Sequence, residues 1–109
     1  MPLADLNADE LKVVGECLRA AAHGPFFPDW EFHTLFGLSR QEVQSVADRF
    51  PDIDEGHDGP GERNDDWLAI NNSFANLMGY PHGASESTWS RYISVKQFEL
   101  ESVFERWRG

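Results

Sequence analysis

GPFFPDWEFHTLFGLSRQEV, Gly24–Val43, decides the fold. Five aromatic residues fall within eleven positions, Phe26 to Phe36, and a Gly-Leu-Ser-Arg turn follows. Pro25 and Pro28 bound a short connection, and Asp29 is placed to cap a helix over about 30–36 that Gly37 stops. Ser39 then opens another helix, because SRQE is a capping box in which the Glu42 carboxylate reaches back to the Ser39 amide. Val43, Val46, Ala47 and Phe50 give that helix its apolar stripe, and Pro51 ends it. Two short helices joined by a glycine turn predict a helical domain.

Working outward toward the N-terminus, the same grammar recurs. Asn7 or Asp5 caps a helix over about 8–22, with Asp9 and Glu10 in the first turn, where the helix dipole favours anions. Leu11, Val14, Leu18 and Ala21 recur at helical spacing, with Cys17 beside them. Gly24 and Pro25 end it. Toward the C-terminus, Asp65 or Asp66 caps a helix carrying Trp67, Ile70, Phe74, Leu77 and Met78. TWSRYISV alternates, which predicts a short strand over 88–95 and leaves an α+β arrangement open. Ser94 and Gln97 read as a second capping box, starting a last helix with Leu100, Val103, Phe104 and Trp107 on its inner face. The expected fold is mainly α: a single compact domain over 1–109, a bundle of about five helices.

The chain has 109 residues and 14 Phe, Trp or Tyr. A domain of this mass exposes about 6,000 Å² folded against about 18,000 Å² unfolded, so one core suffices without staples. A single cysteine excludes an intrachain disulfide and points to a reducing, cytoplasmic setting. MPLADLNADE has none of the regions of a secretory signal. No apolar run approaches the roughly 20 residues needed to cross a bilayer, so no membrane partner is expected.

The formal charge of −10 is uneven. Residues 51–66, PDIDEGHDGPGERNDD, carry seven acids and one base in an acidic Gly/Pro-rich loop, while 67–109 balance four against four. Such a loop repels nucleic acid and attracts a basic protein partner. Asp54, Asp58, Gly59 and Asp65 echo a calcium loop, but Gly56 stands where a ligand oxygen is needed and Asp65 is too short for the bidentate position. His23, His33, His57 and His82 have no metal-ligand spacing. Serines lack a nucleophile elbow, and Cys17 on the apolar flank reads as a small buried hydrophobe. The expectation is therefore no enzyme, no metal and no cofactor. Asn71 and Asn72 lie in a helix otherwise made for burial, either between its apolar positions in solvent or as donors at a binding surface.

Three functional readings follow. In the first, the chain is an acidic protein-binding module: Asp52, Asp54, Glu55 and Asp58 steer a basic partner and Trp30, Phe32 or Trp67 anchor it. That profile is similar in physical type to proteins that neutralise nuclease toxins, such as immunity proteins and antitoxins, although no motif carries the likeness. In the second, Phe32, Phe36, Leu38, Val43 and Val46 resemble the packing positions of a helix-turn-helix, which implies base reading by Arg40, Gln41 and Gln44. His33 departs from that pattern, since the crossing wants a small residue, and no basic footprint exists to meet phosphates. Nucleic acid is the weaker expectation. A third reading is a non-catalytic scaffold subunit of a larger assembly.

Overall fold

The computed structural model of this chain describes residues 3–53 and 64–108. After a 3-10 turn at Leu3–Asp5 come α1 (Ala8–His23), α2 (Asp29–Phe36), α3 (Arg40–Arg49), α4 (Asp65–Gly79), α5 (Glu86–Tyr92) and α6 (Gln97–Arg108). The fold is a mainly α bundle, with six α-helices and no strand among the described residues. The helix beyond the five expected is α5, which covers the first part of the segment whose alternation predicted a strand over 88–95. Of that alternating set only Trp89 and Ile93 are buried, and Arg91 is exposed. Those two are four residues apart, which is a helical repeat. Ser85 caps the helix by accepting the Thr88 amide at 3.2 Å.

The caps explain most boundaries. Asn7, not Asp5, closes α1 in a reciprocal box with Glu10 at 2.8 and 2.9 Å. Ser39 and Glu42 form the box expected for α3. For α4 the cap is Asn64, one residue ahead of the two aspartates, accepting the Trp67 amide at 2.8 Å. The box expected from Ser94 and Gln97 does not form. Ser94 instead gives both its amide and its hydroxyl to Glu16 of α1, at 3.0 and 2.8 Å. Glu99 takes the Lys96 amide at 3.2 Å, so α6 starts at Gln97.

α1 is the central rod and packs on α3, α4, α5 and α6. Val13, Val14, Gly15, Cys17, Leu18 and Ala20–Ala22 are all buried, so nearly its whole circumference is covered. Its small residues make that possible: a Cβ on Gly15 would come within 3.0 Å of the Phe50 ring. Gly24 serves a similar purpose. Its backbone is extended (φ −82°), so no left-handed turn requires glycine there. A Cβ would instead lie 2.5 Å from the Ala20 carbonyl oxygen. Only Gly37, at φ 67°, ends its helix in the left-handed conformation.

The connection after Gly24 is the aromatic hub. Phe26 meets His82, Trp89 and Tyr92 edge-on at 5.2–5.8 Å. Phe27 meets Phe36 and Tyr80 at 5.3 and 5.6 Å. Edge-to-face contacts of this kind align the positive ring edge with a neighbour's negative face. Residues that read as a linker therefore join α2, α4 and α5.

Helix C-termini are closed by side chains from other helices. Asn72 Nδ2 donates to the Phe36 carbonyl at 2.7 Å, and Asn76 Nδ2 to that of Leu35 at 3.0 Å. Gln97 Nε2 donates to Leu77 and Met78 carbonyls at 3.2 and 3.1 Å, ending α4. Half-buried Asn72 thus docks α2. By contrast, the buried Ser73 hydroxyl beside it has no hydrogen-bond partner. In urea denaturation, Asn76→Ala is expected to cost about 1–2 kcal/mol by orphaning acceptors, whereas Ser73→Ala should be neutral or stabilising by up to about 1 kcal/mol. A large loss from Ser73→Ala would contradict this.

Candidate binding surfaces

Arg40, at the start of α3, has its donors occupied inside the fold. Its Nη1 donates to the Ala21 and Ala22 carbonyls at 3.2 and 3.3 Å, and its Nη2 to that of Phe27 at 2.7 Å. Nε pairs with Asp29 at 2.9 Å, and the guanidinium lies 4.4 Å from the centroid of the Phe32 ring. Gln44 reaches the Ala22 carbonyl at 3.4 Å. The α3 N-terminus, which a helix-turn-helix would present to bases, is thus packed against the α1 C-terminus. Gln41 alone of the three candidate readers keeps an exposed side chain uncommitted to a helix end. His33 is exposed, and α2 packs on α4 more than on α3.

The proposed partner contacts separate as well. Phe32 is buried and stacked on Phe36 at 4.2 Å, so it presents no surface for anchoring. The reason is its place on the same side of α2 as Phe36. Trp30, two positions and about 200° away round the helix, is 80 % exposed. Trp67 is half-buried, 5.5 Å from Trp107, with the Arg108 guanidinium 5.7 Å from its ring centroid. Asp52 is exposed just beyond α3. Asp54, Glu55 and Asp58 lie outside the described residues.

Trp30 and the described acids Asp52, Asp65 and Asp66 lie toward opposite ends of α4. Glu31 accepts the Tyr80 hydroxyl at 2.5 Å, which ties the start of α2 to the end of α4. Arg49 pairs with Asp66 at 2.9 Å, which ties the end of α3 to the start of α4. Between them runs about 21 Å of helix at 1.5 Å per residue. One interface cannot use Trp30 and the base of the 51–66 segment without spanning that length.

The acidic end is built by helix polarity. α1 and α4 both begin there, and their first turns carry Asp9, Glu10, Asp65 and Asp66. Acids in first turns meet the positive end of the helix dipole. α3 and α6 finish at the same end with Arg49, Arg106 and Arg108. Those cations pair within the chain and stay exposed: Arg49 with Asp66, Arg106 with Glu10 at 2.6 Å, and Arg108 with the Asn71 oxygen and the rings of Trp67 and Phe104. Asp48, Asp52 and Asp65 remain exposed around the 54–63 segment.

A second exposed aromatic escaped the sequence reading. Phe98 is 74 % exposed in the first turn of α6. The signal was present, since Phe98 stands two residues before buried Leu100 and so lies off the inner stripe. It borders a cleft of about 590 Å³ between α5 and the start of α6. Among the described residues no cluster of His, Cys, Asp or Glu is arranged to hold a metal ion. No described helix is long and apolar enough to cross a membrane. Burial pushes the Cys17 thiol far up. The chain matches no protein-family model, no curated protein and no solved structure.

Two outcomes test this geometry. Arg40→Ala should lower stability by about 2–3 kcal/mol, and Arg40→Lys should recover little of it, because a point charge cannot serve carbonyls on several sides. Full stability of Arg40→Ala in urea would remove the clamp. The hydrogen bond to Glu31 raises the Tyr80 pKa above the ordinary tyrosine value. Its stabilising contribution is therefore complete below that ordinary value and lost as pH rises through the folded one. Absorbance titration should show a late-ionising phenol that Tyr80→Phe removes.

Proposed function

We propose that this chain is a non-catalytic, cytoplasmic protein-binding module that occludes a basic partner, in the manner of immunity proteins and antitoxins. One observation supports the reading: the first turns of α1 and α4 and the exposed Asp48 and Asp52 gather acids at one end, where Arg49 and Arg106 are each paired with a carboxylate. A surface of that kind focuses field lines, speeds encounter with a cationic protein and discriminates against anionic ones. Asp52, with Asp54, Glu55 and Asp58, is assigned the steering role, and Trp67 the role of aromatic anchor at the same end. Trp30 at the far end has no part in this contact, and Phe32 belongs to the core. The lone cysteine suits a reducing compartment.

The helix-turn-helix reading is the less supported, since Arg40 and Gln44 are bound to α1 carbonyls. A single set of variants separates the two. Neutralising Asp48, Asp52 and Asp65 to Asn should slow association with a basic partner on the order of tenfold at low salt. It should strengthen binding if the ligand is nucleic acid. Native mass spectrometry of the tagged protein, recovered from its own cells, is expected to show a stoichiometric basic protein released by high salt. Recovery of nucleic acid, or of a partner indifferent to both salt and the variants, would overturn the proposal.

A further inference from the structure

We infer that His82 is a neutral clasp across the turn from α4 to α5, and that acid opens it. Both ring nitrogens meet the backbone. The Ala84 amide donates to Nδ1 at 3.1 Å, and Nε2 lies 3.2 Å from the Leu77 carbonyl oxygen. An amide N–H can only donate, so Nδ1 carries no proton. A carbonyl can only accept, so Nε2 carries the single ring hydrogen. One tautomer of the neutral imidazole, and no other protonation state, satisfies both contacts. The ring thereby joins the last turn of α4 to the residue before Ser85, the cap of α5. Gly83, between the ring and its donor, makes the reach possible at φ 66°.

The same ring holds α5 in place. Trp89 is the buried residue of that helix. His82 stacks on it with centroids 5.9 Å apart, and Phe26 meets the imidazole edge-on at 5.2 Å. A second proton goes to Nδ1, where it faces the Ala84 N–H, two donors with no acceptor between them. The ring then has to turn away, giving up the Ala84 bond and the stack on Trp89 together. The negative end of the α4 dipole favours a cation at Leu77. That carbonyl is already shared with Gln97 Nε2 at 3.2 Å, however, and a weak gain there does not offset a hydrogen bond turned into a repulsion. From α4 and from the Phe26 connection the ring meets a carbonyl and an aromatic ring, both uncharged. The charged side chains sharing its cleft are Glu86 of α5 and Lys96 ahead of α6, one of each sign and both exposed. The closed turn has no place for the added proton and the open turn has one. The clasp is therefore complete while the ring is neutral and is lost as pH falls through its protonation. Nothing in this rests on the basic-partner reading.

Nitrogen-15 NMR of the full chain tests it. At about pH 8 the imidazole should show a protonated Nε2 and a bare Nδ1. As the pH is lowered until the ring protonates, the exchange protection of the Ala84 amide, corrected for its intrinsic rate, should fall by up to about tenfold per pH unit. The Trp89 indole signal, whose N–H donates to the Val95 carbonyl at 2.8 Å, should shift with the same midpoint. The Phe50 amide, bonded to the Val46 carbonyl at the end of α3, should keep its protection. His82→Asn gives the Ala84 amide, two residues on, a side-chain oxygen that does not titrate, and should flatten the response. A proton on Nδ1 at about pH 8 would overturn the inference. So would a ring that protonates while Ala84 and Trp89 stay unchanged, or an Ala84 response that His82→Asn leaves as it was. Loss at Phe50 with the same midpoint would overturn it too, because the whole domain would then be unfolding. If His82→Asn does not fold, the wild-type tautomer and exchange rates decide between these outcomes on their own.

Discussion

The Arg40 guanidinium is the constraint on which the arrangement turns. One side chain meets the last carbonyls of α1, the carbonyl of Phe27, the carboxylate of Asp29 and the face of Phe32. It fixes where α1 stops, how the chain turns through Phe26 and Phe27, and where α2 begins. The rigid fork of an arginine suits this task, because its donors diverge in one plane and its charge favours the negative end of a helix dipole. With the turn held, Phe26 and Phe27 point in opposite senses into the domain, one toward α5 and the other toward α2 and Tyr80. The aromatic hub follows from the clamp.

Local grammar made much of this legible in advance. Capping boxes, apolar spacing and helix-stopping glycines located α1, α2, α3, α4 and the body of α6 to within a residue or two, because those signals act over three or four positions. What escaped was set by distance. Whether Arg40 faces bases or the end of α1 depends on a partner 18 residues away, and the duty of Asn76 on one 41 residues away. The alternation of Trp89, Arg91, Ile93 and Val95 misled because it contains a helical pair within a period of two. Phe32 and Trp30 looked equivalent by composition and differ by the angle at which α2 meets its neighbours. The acidic segment was conspicuous in the sequence, but the chain alone did not show that α1 would bring its own first-turn acids to the same end.

The antiparallel course of the helices puts helix starts, and with them first-turn acids, at both ends of the domain. The starts of α1 and α4 bring acids to one end, where Arg49 and Arg106 pair with two of them, and the starts of α2, α3 and α6 bring Asp29, Glu31, Glu42 and Glu99 to the other. The remaining exposed aromatics, Trp30 and Phe98, lie toward the other end, where α2 and α6 begin and α4 finishes. Charge selects at long range and is weakened by salt, while apolar contact acts only on touching and is not. Both ends can therefore act at long range through charge, and the second adds apolar contact on touching.

The side chains that close the helix ends have a further consequence for how the chain comes apart. α1 is closed from α3, α2 from α4, and α4 from α6, so each of these helices has carbonyls whose donors belong to a segment elsewhere in the chain. Removing one element leaves another with unpaired polar groups in the interior. Losing α6 would strip α4 of Gln97, which closes its last carbonyls. These contacts tie the helices to one another rather than leaving a helical hairpin with additions.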